Sequence, residues 1–178
     1  GLYSVSEERF ITQKEADSGD FRDVRELKEK NYFFKMSKYQ SRLIKHINDN
    51  PTFIQPEHRR NEVLGFLRSP LEDLCISRPK ARLNWGIEIP FDKKYVTYVW
   101  FDALINYVSA IGYQSDEKKY NTFWPVNFHL IGKDILTTHS VYWPTMLMSA
   151  ELPLPKGIFA HGWWLSDQTK MSKSLGNV

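Results

Sequence analysis

A short cationic segment near the end of the chain carries the clearest chemical signal in the sequence. From Lys170 to Ser174, two lysines and two serines stand within five residues, and Gly176 follows closely. Ammonium and hydroxyl groups at this density can hold the phosphates of a nucleotide while negative charge moves between them. Lysine and serine clusters are also common in solvated surface loops, so the residue types alone leave both interpretations open.

Polar residues follow the stretches that predict strands. β-branched and aromatic residues predict strands over 95–101, 126–131 and 158–160. Asp102 and Asp134 stand where a helix N-cap is favoured, so a helix is predicted after each of the first two strands. This alternation predicts an α/β fold in which parallel strands are joined by right-handed crossovers. Ligands bind at the carboxyl ends of such strands, where these polar residues are expected to lie.

The residues at these strand ends each admit two roles. Gly132 can let a ligand approach the backbone closely, or it can simply make a tight turn. Asp134 can accept a hydrogen bond from a ribose hydroxyl, or it can only cap its helix. The run His161-Gly162-Trp163-Trp164 follows the third predicted strand at the same edge of the sheet.

Aromatic residues on the predicted helices indicate a second part of the site. His139 and Trp143 are four residues apart and therefore share a helical face. Tyr107 lies on the helix after Trp100, so these two side chains could line one side of an apolar pocket. The alternative is ordinary core packing, which periodicity does not distinguish from a pocket.

The first part of the chain predicts a smaller and mostly helical module. Residues 1–30 are rich in charge and predict short strands and loops. Apolar residues at helical spacing predict a helix over 31–47, and a second helix is predicted over 60–67. A short strand is predicted over 85–90. The predicted architecture is half of a Rossmann-like, doubly wound parallel sheet, preceded by this module.

Composition limits the class of protein. The 178 residues are 42% hydrophobic and 15% aromatic, which indicates a packed globular protein. The net charge of +3 permits contact with nucleotides or RNA without requiring it. Cys75 is the single cysteine, which excludes an intramolecular disulfide and fits a reducing compartment, so a cytoplasmic location is predicted. No apolar run approaches the ~18 residues of a membrane span, and no secretory signal or membrane partner is predicted.

Longer motifs give the cationic segment a context. Lys-Met-Ser-Lys-Ser at 170–174 matches the second signature of the class I aminoacyl-tRNA synthetases. Within that class, three further features are typical of the methionine enzymes: Tyr-Val-Trp-Phe-Asp-Ala at 98–103, Ile-Gly-Lys-Asp-Ile at 131–135, and the pair His139 and Trp143. The whole chain resembles the methionyl-tRNA synthetase family. The matching stretches are residues 31–35, 60–64, 76–78, 96–104, 129–135, 142–144 and 160–163.

The resemblance implies a role for each matched residue of the site. Six residues fall where the family forms its methionine pocket: Trp100, Ala103, Tyr107, Ile135, His139 and Trp143. Five fall at its ATP site, with Gly132 and Asp134 at the ribose and His161, Gly162 and Trp164 at the adenine. Lys170 and Lys173 fall at the loop lysines that stabilise the pyrophosphate leaving group, and Arg78 matches an arginine where the chain returns from an inserted module.

The implied activity is that of a methionine–tRNA ligase. The methionine carboxylate would attack the α-phosphate of ATP to give methionyl-adenylate, and the methionyl group would then pass to the 3′ end of tRNA(Met). Mg²⁺ would bridge the phosphates of ATP during this chemistry. The sequence does not indicate the oligomeric state.

The resemblance also implies a division of the chain and two departures from the family. Residues 1–76 would be the connective-peptide insertion, and residues 77–178 the second half of the catalytic domain. The first ATP signature, His-Ile-Gly-His, and the anticodon-binding helices are absent from the sequence. The chain is therefore expected to be an internal fragment that is inactive alone.

The second departure concerns zinc. Where relatives carry the cysteines of a zinc knuckle, this chain has Ser4, Glu7, Asp17 and Asp20. Zinc at structural sites prefers thiolate and imidazole ligands, so no structural zinc is expected.

Two other interpretations come from different classes. A synthetase of the isoleucine, valine or leucine group would carry a far larger editing insertion than the module seen here. A non-catalytic nucleotide- or RNA-binding module derived from the same fold stays open. A His-x-Gly-His motif in frame upstream would favour the enzyme over the binding module.

Overall fold

The chain forms two compact units, residues 1–31 and residues 32–178. In the first unit, β1 (Leu2–Ser4) lies between β2 (Arg9–Ile11) and β3 (Val24–Glu26) in an antiparallel sheet, as expected for a segment of short strands. The structure, a computed structural model, describes residues 2–4, 9–11, 16–19, 23–26, 29–166, 168–172 and 176–177.

The second unit mixes short strands with helices. Its described strands are β4 (Phe33–Phe34), β5 (Ile54–Gln55), β6 (Leu74–Cys75), β7 (Ser77–Pro79), β8 (Glu88–Ile89), β9 (Asp92–Thr97), β10 (His129–Gly132), β11 (Ile158–His161), β12 (Leu165–Ser166) and β13 (Thr169–Lys170). Its α-helices are α1 (Gln40–Asp49), α2 (Glu57–Phe66), α3 (Val99–Ser109), α4 (Glu117–Phe123) and α5 (Trp143–Ser149). Turns of 3₁₀ helix cover Met36–Tyr39 and Lys133–Ile135, and a π-helical turn covers Thr138–Tyr142.

A parallel sheet organises this unit. β11 is its central strand, with β10 on one side and β5 on the other, both parallel to it. Side chains alternate along β11, so that Ile158 and Ala160 are buried and Phe159 is exposed. Leu43 of α1 and Met148 of α5 share the core formed by the buried side. The predicted α/β class, the strands near 126–131 and 158–160, and their parallel pairing are confirmed.

The strand predicted over 95–101 is only partly correct. β9 ends at Thr97 and pairs antiparallel with β7 and β8 in a separate sheet, so it is not a strand of the parallel sheet. α3 begins at Val99 after the cap residue Tyr98, and Asp102 lies inside its first turn instead of capping it. Leu104 and Val108 are buried at helical spacing on α3, and this packing outweighs the β propensity of the aromatic run.

The helix predicted over 31–47 starts later than expected. Phe33 pairs with Cys75 between β4 and β6, which holds this segment extended, and α1 begins only at Gln40. α2 matches the helix predicted over 60–67, apart from an earlier start. Because β5 belongs to the parallel sheet, residues 32–76 share one compact unit with the rest, and the units divide after Asn31. The division at residue 76 into insertion and catalytic domain stays a prediction.

The helix after β10 contains a π-helical turn just before Pro144. Proline has no backbone N–H, so it cannot complete the α-helical hydrogen bond to the carbonyl four residues earlier. Hydroxyl groups satisfy nearby carbonyls: Ser140 Oγ donates to Leu136 O at 2.6 Å, and Thr145 Oγ1 lies 2.9 Å from Val141 O. π-helical turns are frequent at functional sites, and this one contains His139.

Candidate functional site

The carboxyl ends of β10 and β11 lie side by side and open into a pocket. Gly132 is the register partner of His161, so the last residues of the two strands are neighbours. The pocket has a volume of about 470 Å³. It is lined by Gly132, Asp134, His161, Gly162, Trp163, Trp164, Lys170 and Met171.

The structure therefore brings together most of the residues predicted for the ATP site. Six predicted residues line this one pocket: Gly132, Asp134, His161, Gly162, Trp164 and Lys170. Lys173, the other loop lysine, lies outside the described residues. Trp163 and Met171 also line the pocket, although no role was predicted for either. The individual roles in ATP binding stay predictions.

Asp134 does not cap its helix. The cap residue of the 3₁₀ turn is Gly132, and no side chain bonds there, so that interpretation of Asp134 is wrong. Asp134 Oδ2 instead accepts a hydrogen bond from Trp163 Nε1–H at 2.7 Å and lies 3.9 Å from Lys170 Nζ. The aspartate thus faces the pocket, where a carboxylate can accept hydrogen bonds from a polyol.

A small hairpin brings Lys170 back to the pocket. β12 and β13 pair antiparallel, and Met171 N–H donates to Trp164 O at 2.9 Å just beyond the paired residues. Asn177 closes the following segment, because its Nδ2 donates to Lys170 O at 3.2 Å and its Oδ1 accepts from Ser172 N–H at 2.8 Å. The first lysine of the cationic segment is therefore held at the mouth of the pocket by backbone pairing.

A buried aromatic cluster lies behind the strand ends. Tyr107 of α3 contacts His139 through a hydrogen bond of 2.8 Å between its hydroxyl and Nε2. The other ring nitrogen, Nδ1, lies 3.0 Å from Ile135 O, which can only accept, so Nδ1 carries the proton. Burial lowers the pKa of His139 below its usual value. Neutral His139 then accepts at Nε2 from the Tyr107 hydroxyl.

His129 is a second neutral histidine in this cluster. Trp143 Nε1–H donates to its Nε2 at 3.2 Å, which assigns its proton to Nδ1. Burial, together with the nearby His139, lowers the pKa of His129 to about 4. The sequence alone predicted no role for His129. His129 begins the strand that Gly132 ends, and this shared strand was the available signal, since its carboxyl end was already a candidate site.

The six residues predicted for the methionine pocket divide into two groups. Tyr107 contacts both His139 and Trp143, and His139 is joined to Ile135 through the Ile135 carbonyl. Trp100 and Ala103 are exposed on α3, seven and four residues before Tyr107, on the same helical face. Trp100 lies in the first turn of α3 instead of ending a strand, because the helix starts earlier than predicted.

Arg78 is buried, and among the described residues no carboxylate forms an ion pair with it. Its Nη1 donates to Ser77 O at 2.8 Å and contacts Cys75 Sγ at 3.2 Å. The guanidinium group lies over the Tyr98 ring, 4.2 Å from the centroid. These contacts fix Arg78 at the junction of β7 and α3. Cys75 is partly buried.

The zinc-knuckle positions are described only in part. Ser4 is buried and Asp17 is exposed, whereas Glu7 and Asp20 lie outside the described residues. Within the described residues, no group of three or more His, Cys, Asp or Glu side chains could hold a metal ion. The expected absence of structural zinc stays a prediction. None of the helices in the described part of the chain has the length and apolar character that a bilayer crossing requires.

A pocket at the carboxyl ends of parallel strands, with a lysine-bearing hairpin at its mouth, is the arrangement expected of a class I aminoacyl-tRNA synthetase. The sequence profile of the family described as tRNA synthetases class I (M) matches residues 11–178. The chain belongs to this family. That membership excludes the isoleucine, valine and leucine group as an alternative.

Individual relatives agree with the family. The chain is similar to the methionine–tRNA ligase of Clostridium acetobutylicum, with 55% identity over 184 residues that cover 100% of this chain and 28% of the relative. It is 49% identical to the methionine–tRNA ligase of Rickettsia conorii over 182 residues, 100% of this chain and 35% of the relative. The chain thus spans about a third of the length of these relatives.

A solved structure shows the same fold. The crystal structure of Mycobacterium tuberculosis methionyl-tRNA synthetase bound by methionyl-adenylate matches with a TM-score of 0.86 and 43% identity. The match covers 100% of this chain and 36% of that one. The likeness therefore extends over both units and includes the pocket.

Proposed function

We propose that the complete gene product that carries this sequence is a methionine–tRNA ligase. Its substrates would be methionine, ATP and tRNA(Met), and its location the cytoplasm, which the single cysteine supports. The observation that carries the proposal is the pocket itself. Gly132, Asp134, His161 and Lys170 come from four separate elements and converge on one concave surface.

ATP would lie across the ends of β10 and β11. The Asp134 carboxylate would accept a ribose hydroxyl, and the absence of a side chain at Gly132 would let the nucleotide approach the strand. His161 and Trp164 have ring centroids 5.7 Å apart, and their exposed surfaces would border the adenine. Lys170 at the hairpin end would then face the phosphates.

The cationic segment would act on the leaving group. When the methionine carboxylate oxygen bonds to the α-phosphorus, the bond to the bridging oxygen breaks and pyrophosphate leaves with the electron pair. Lys170 and Lys173 would stabilise the negative charge that builds up on it. Such preorganised charges accelerate the reaction only if they act more strongly in the transition state than on bound ATP.

Mg²⁺ would be held mainly by the nucleotide. Among the described residues that line the pocket, Asp134 supplies the single carboxylate, and its Oδ2 is already held by Trp163. Mg²⁺ commonly binds through one or two carboxylates together with substrate phosphates and water. A pocket with one carboxylate therefore fits an ion whose other ligands come from ATP and water. The ion would supply charge neutralisation at the phosphates when bound.

Methionine would bind next to the Tyr107 and His139 pair. A thioether is apolar and a weak hydrogen-bond acceptor, and sulfur packs favourably against aromatic rings. Burial that keeps His139 neutral avoids a charge beside the sulfur. Tyr107 and Trp143 supply ring surfaces, and the exposed Trp100 and Ala103 would extend the pocket along α3.

Methionine-dependent exchange of pyrophosphate into ATP tests this proposal. The complete gene product should catalyse the exchange with methionine and not with isoleucine or leucine. The 178-residue chain alone should not, because it lacks the first ATP signature. ATP binding by the complete gene product without any exchange would favour the non-catalytic binding module instead.

A further inference from the structure

Trp163 contacts three charged groups, of which Asp134 and Lys170 line the pocket and Lys133 is the neighbour of Asp134 in the chain. Lys133 Nζ lies 4.0 Å from the centroid of its ring, and Lys170 Nζ lies 4.3 Å from the same centroid. The indole Nε1–H donates to Asp134 Oδ2 at 2.7 Å. Lys133 and Asp134 begin the turn after β10, whereas Lys170 ends β13. One indole therefore joins the strand end to the hairpin.

We propose that Trp163 is a positioning residue of the ATP site and that Lys133 is a second cation held there for the phosphates. The ring would keep two ammonium groups at the mouth of the pocket, and the N–H would fix the orientation of the Asp134 carboxylate. This inference rests on the proposed function, since it concerns the same pocket and the same reaction.

An aromatic ring holds a lysine in a different way from a carboxylate. Lys170 Nζ lies 3.9 Å from Asp134 Oδ2, a distance too long for a hydrogen bond. Its other contact is the face of the Trp163 ring, 4.3 Å from the centroid, which attracts the ammonium through its quadrupole without neutralising the charge. An ammonium held in this way keeps its charge and its N–H donors for a phosphate. A lysine in a tight ion pair would first have to break that pair.

The ring also lets two like charges approach one pocket. Lys133 and Lys170 would repel each other across open solvent, but both are attracted to the same indole. Asp134 lies 3.9 Å from Lys170 Nζ and offsets part of its charge. The two ammonium groups are thereby available to a polyanion such as the triphosphate of ATP.

The hairpin transmits the position of Trp163 to Lys170. β12 pairs with β13 through Leu165 and Lys170, and Met171 N–H bonds to Trp164 O at 2.9 Å. Trp163 therefore lies two residues before one strand of the hairpin, and Lys170 ends the other. Anchoring the indole to Asp134 fixes where this lysine stands. Trp163, Asp134 and Lys170 are each about half exposed. The hydrogen bond from Trp163 to Asp134 should therefore affect the orientation of Lys170 more than the stability of the fold.

Two substitutions of Trp163 separate the ring from the N–H in the complete gene product. Trp163→Ala removes both and should lower kcat of pyrophosphate exchange about ten-fold or more, with a raised KM for ATP, because misplaced charges lose transition-state stabilisation. Trp163→Phe keeps a ring face and should restore most of kcat, while KM for ATP stays raised. KM for methionine should change in neither. The matched control is Trp85→Ala, which should leave all these constants unchanged. Trp85 is more exposed than Trp163 and lies before β8, outside the parallel sheet.

A double-mutant cycle with Lys170→Met tests whether Trp163 acts through the lysine. In the Lys170→Met background, Trp163→Ala should cost much less in kcat than in the wild type, because the group it positions is gone. Equal losses in both backgrounds, or a Trp163→Ala variant with wild-type kcat and KM for ATP, would overturn the inference. If the wild type itself shows no methionine-dependent exchange, the proposed function fails instead, so the two failures are distinguishable.

Discussion

At the scale of single residues, the site depends on where charge is placed and where it is removed. Lys170 is held at the mouth of the pocket with its charge available, whereas burial keeps His139 and His129 neutral a short distance behind. These two conditions suit the two proposed substrates, ATP and methionine. A polyphosphate requires cations, and a thioether requires a pocket without charge.

Lys173→Ala in the complete gene product should slow methionyl-adenylate formation far more than it weakens methionine binding. The ammonium of Lys173 is needed chiefly when pyrophosphate departs, so we expect a loss on the order of 2 to 4 kcal/mol in the activation free energy. Pyrophosphate exchange at saturating methionine measures the rate, and equilibrium titration measures methionine binding. An unchanged exchange rate would show that the lysine does not act on the leaving group.

Among the helices and strands, α3 is an element whose start the sequence predicted wrongly. The strands at 126–131 and 158–160 were predictable, since their alternation agrees with their burial on the sheet. The run from Val99 to Phe101 was not, because its β propensity is opposed by the burial of Leu104 and Val108 against other elements. Such packing depends on residues distant in the chain. The contact of Trp163 with Lys133 and Asp134 escaped prediction for the same reason.

The register of α3 can be tested with two substitutions that remove the same volume. Leu104 is 2% exposed and Ile105 is 37% exposed. Leu104→Ala should cost about 2–5 kcal/mol of stability because it leaves a cavity, whereas Ile105→Ala should cost much less. Native-state hydrogen exchange in α5, whose Met146 and Leu147 share the core cluster of Leu104, measures the loss. Similar losses from both variants would contradict the assigned helical register.

At the scale of the whole molecule, the fold follows one rule of parallel sheets. Residues from β10, β11 and the hairpin after β11 reach the same edge because parallel strands end on the same side. This much was predictable from motif order alone. The participation of β5 was not, since Ile54 and Gln55 form too short a strand to give a pattern.

The buried histidines should make stability depend on pH. In the unfolded chain His129 takes up a proton near pH 6.5, but in the folded state its pKa is about 4. The folded state is therefore fully favoured above pH 6.5 and loses about 1.4 kcal/mol per pH unit between pH 6.5 and 4. Urea unfolding of the complete gene product at several pH values measures this slope. His129→Gln retains an acceptor for Trp143 and should reduce the dependence of the unfolding free energy on pH. If this variant shows the same pH dependence as the wild type, His129 is not its source.

In the proposed enzyme, one edge of the parallel sheet would hold two adjacent subsites, with Asp134 serving ATP and His139 serving methionine. The most direct measurement is the pair of Michaelis constants for pyrophosphate exchange in Asp134→Asn and His139→Ala of the complete gene product. Asp134→Asn should raise KM for ATP and leave KM for methionine nearly unchanged, and His139→Ala should do the reverse. If His139→Ala instead raised KM for ATP and left KM for methionine unchanged, the aromatic cluster would belong to the nucleotide site and the proposed methionine subsite would be wrong.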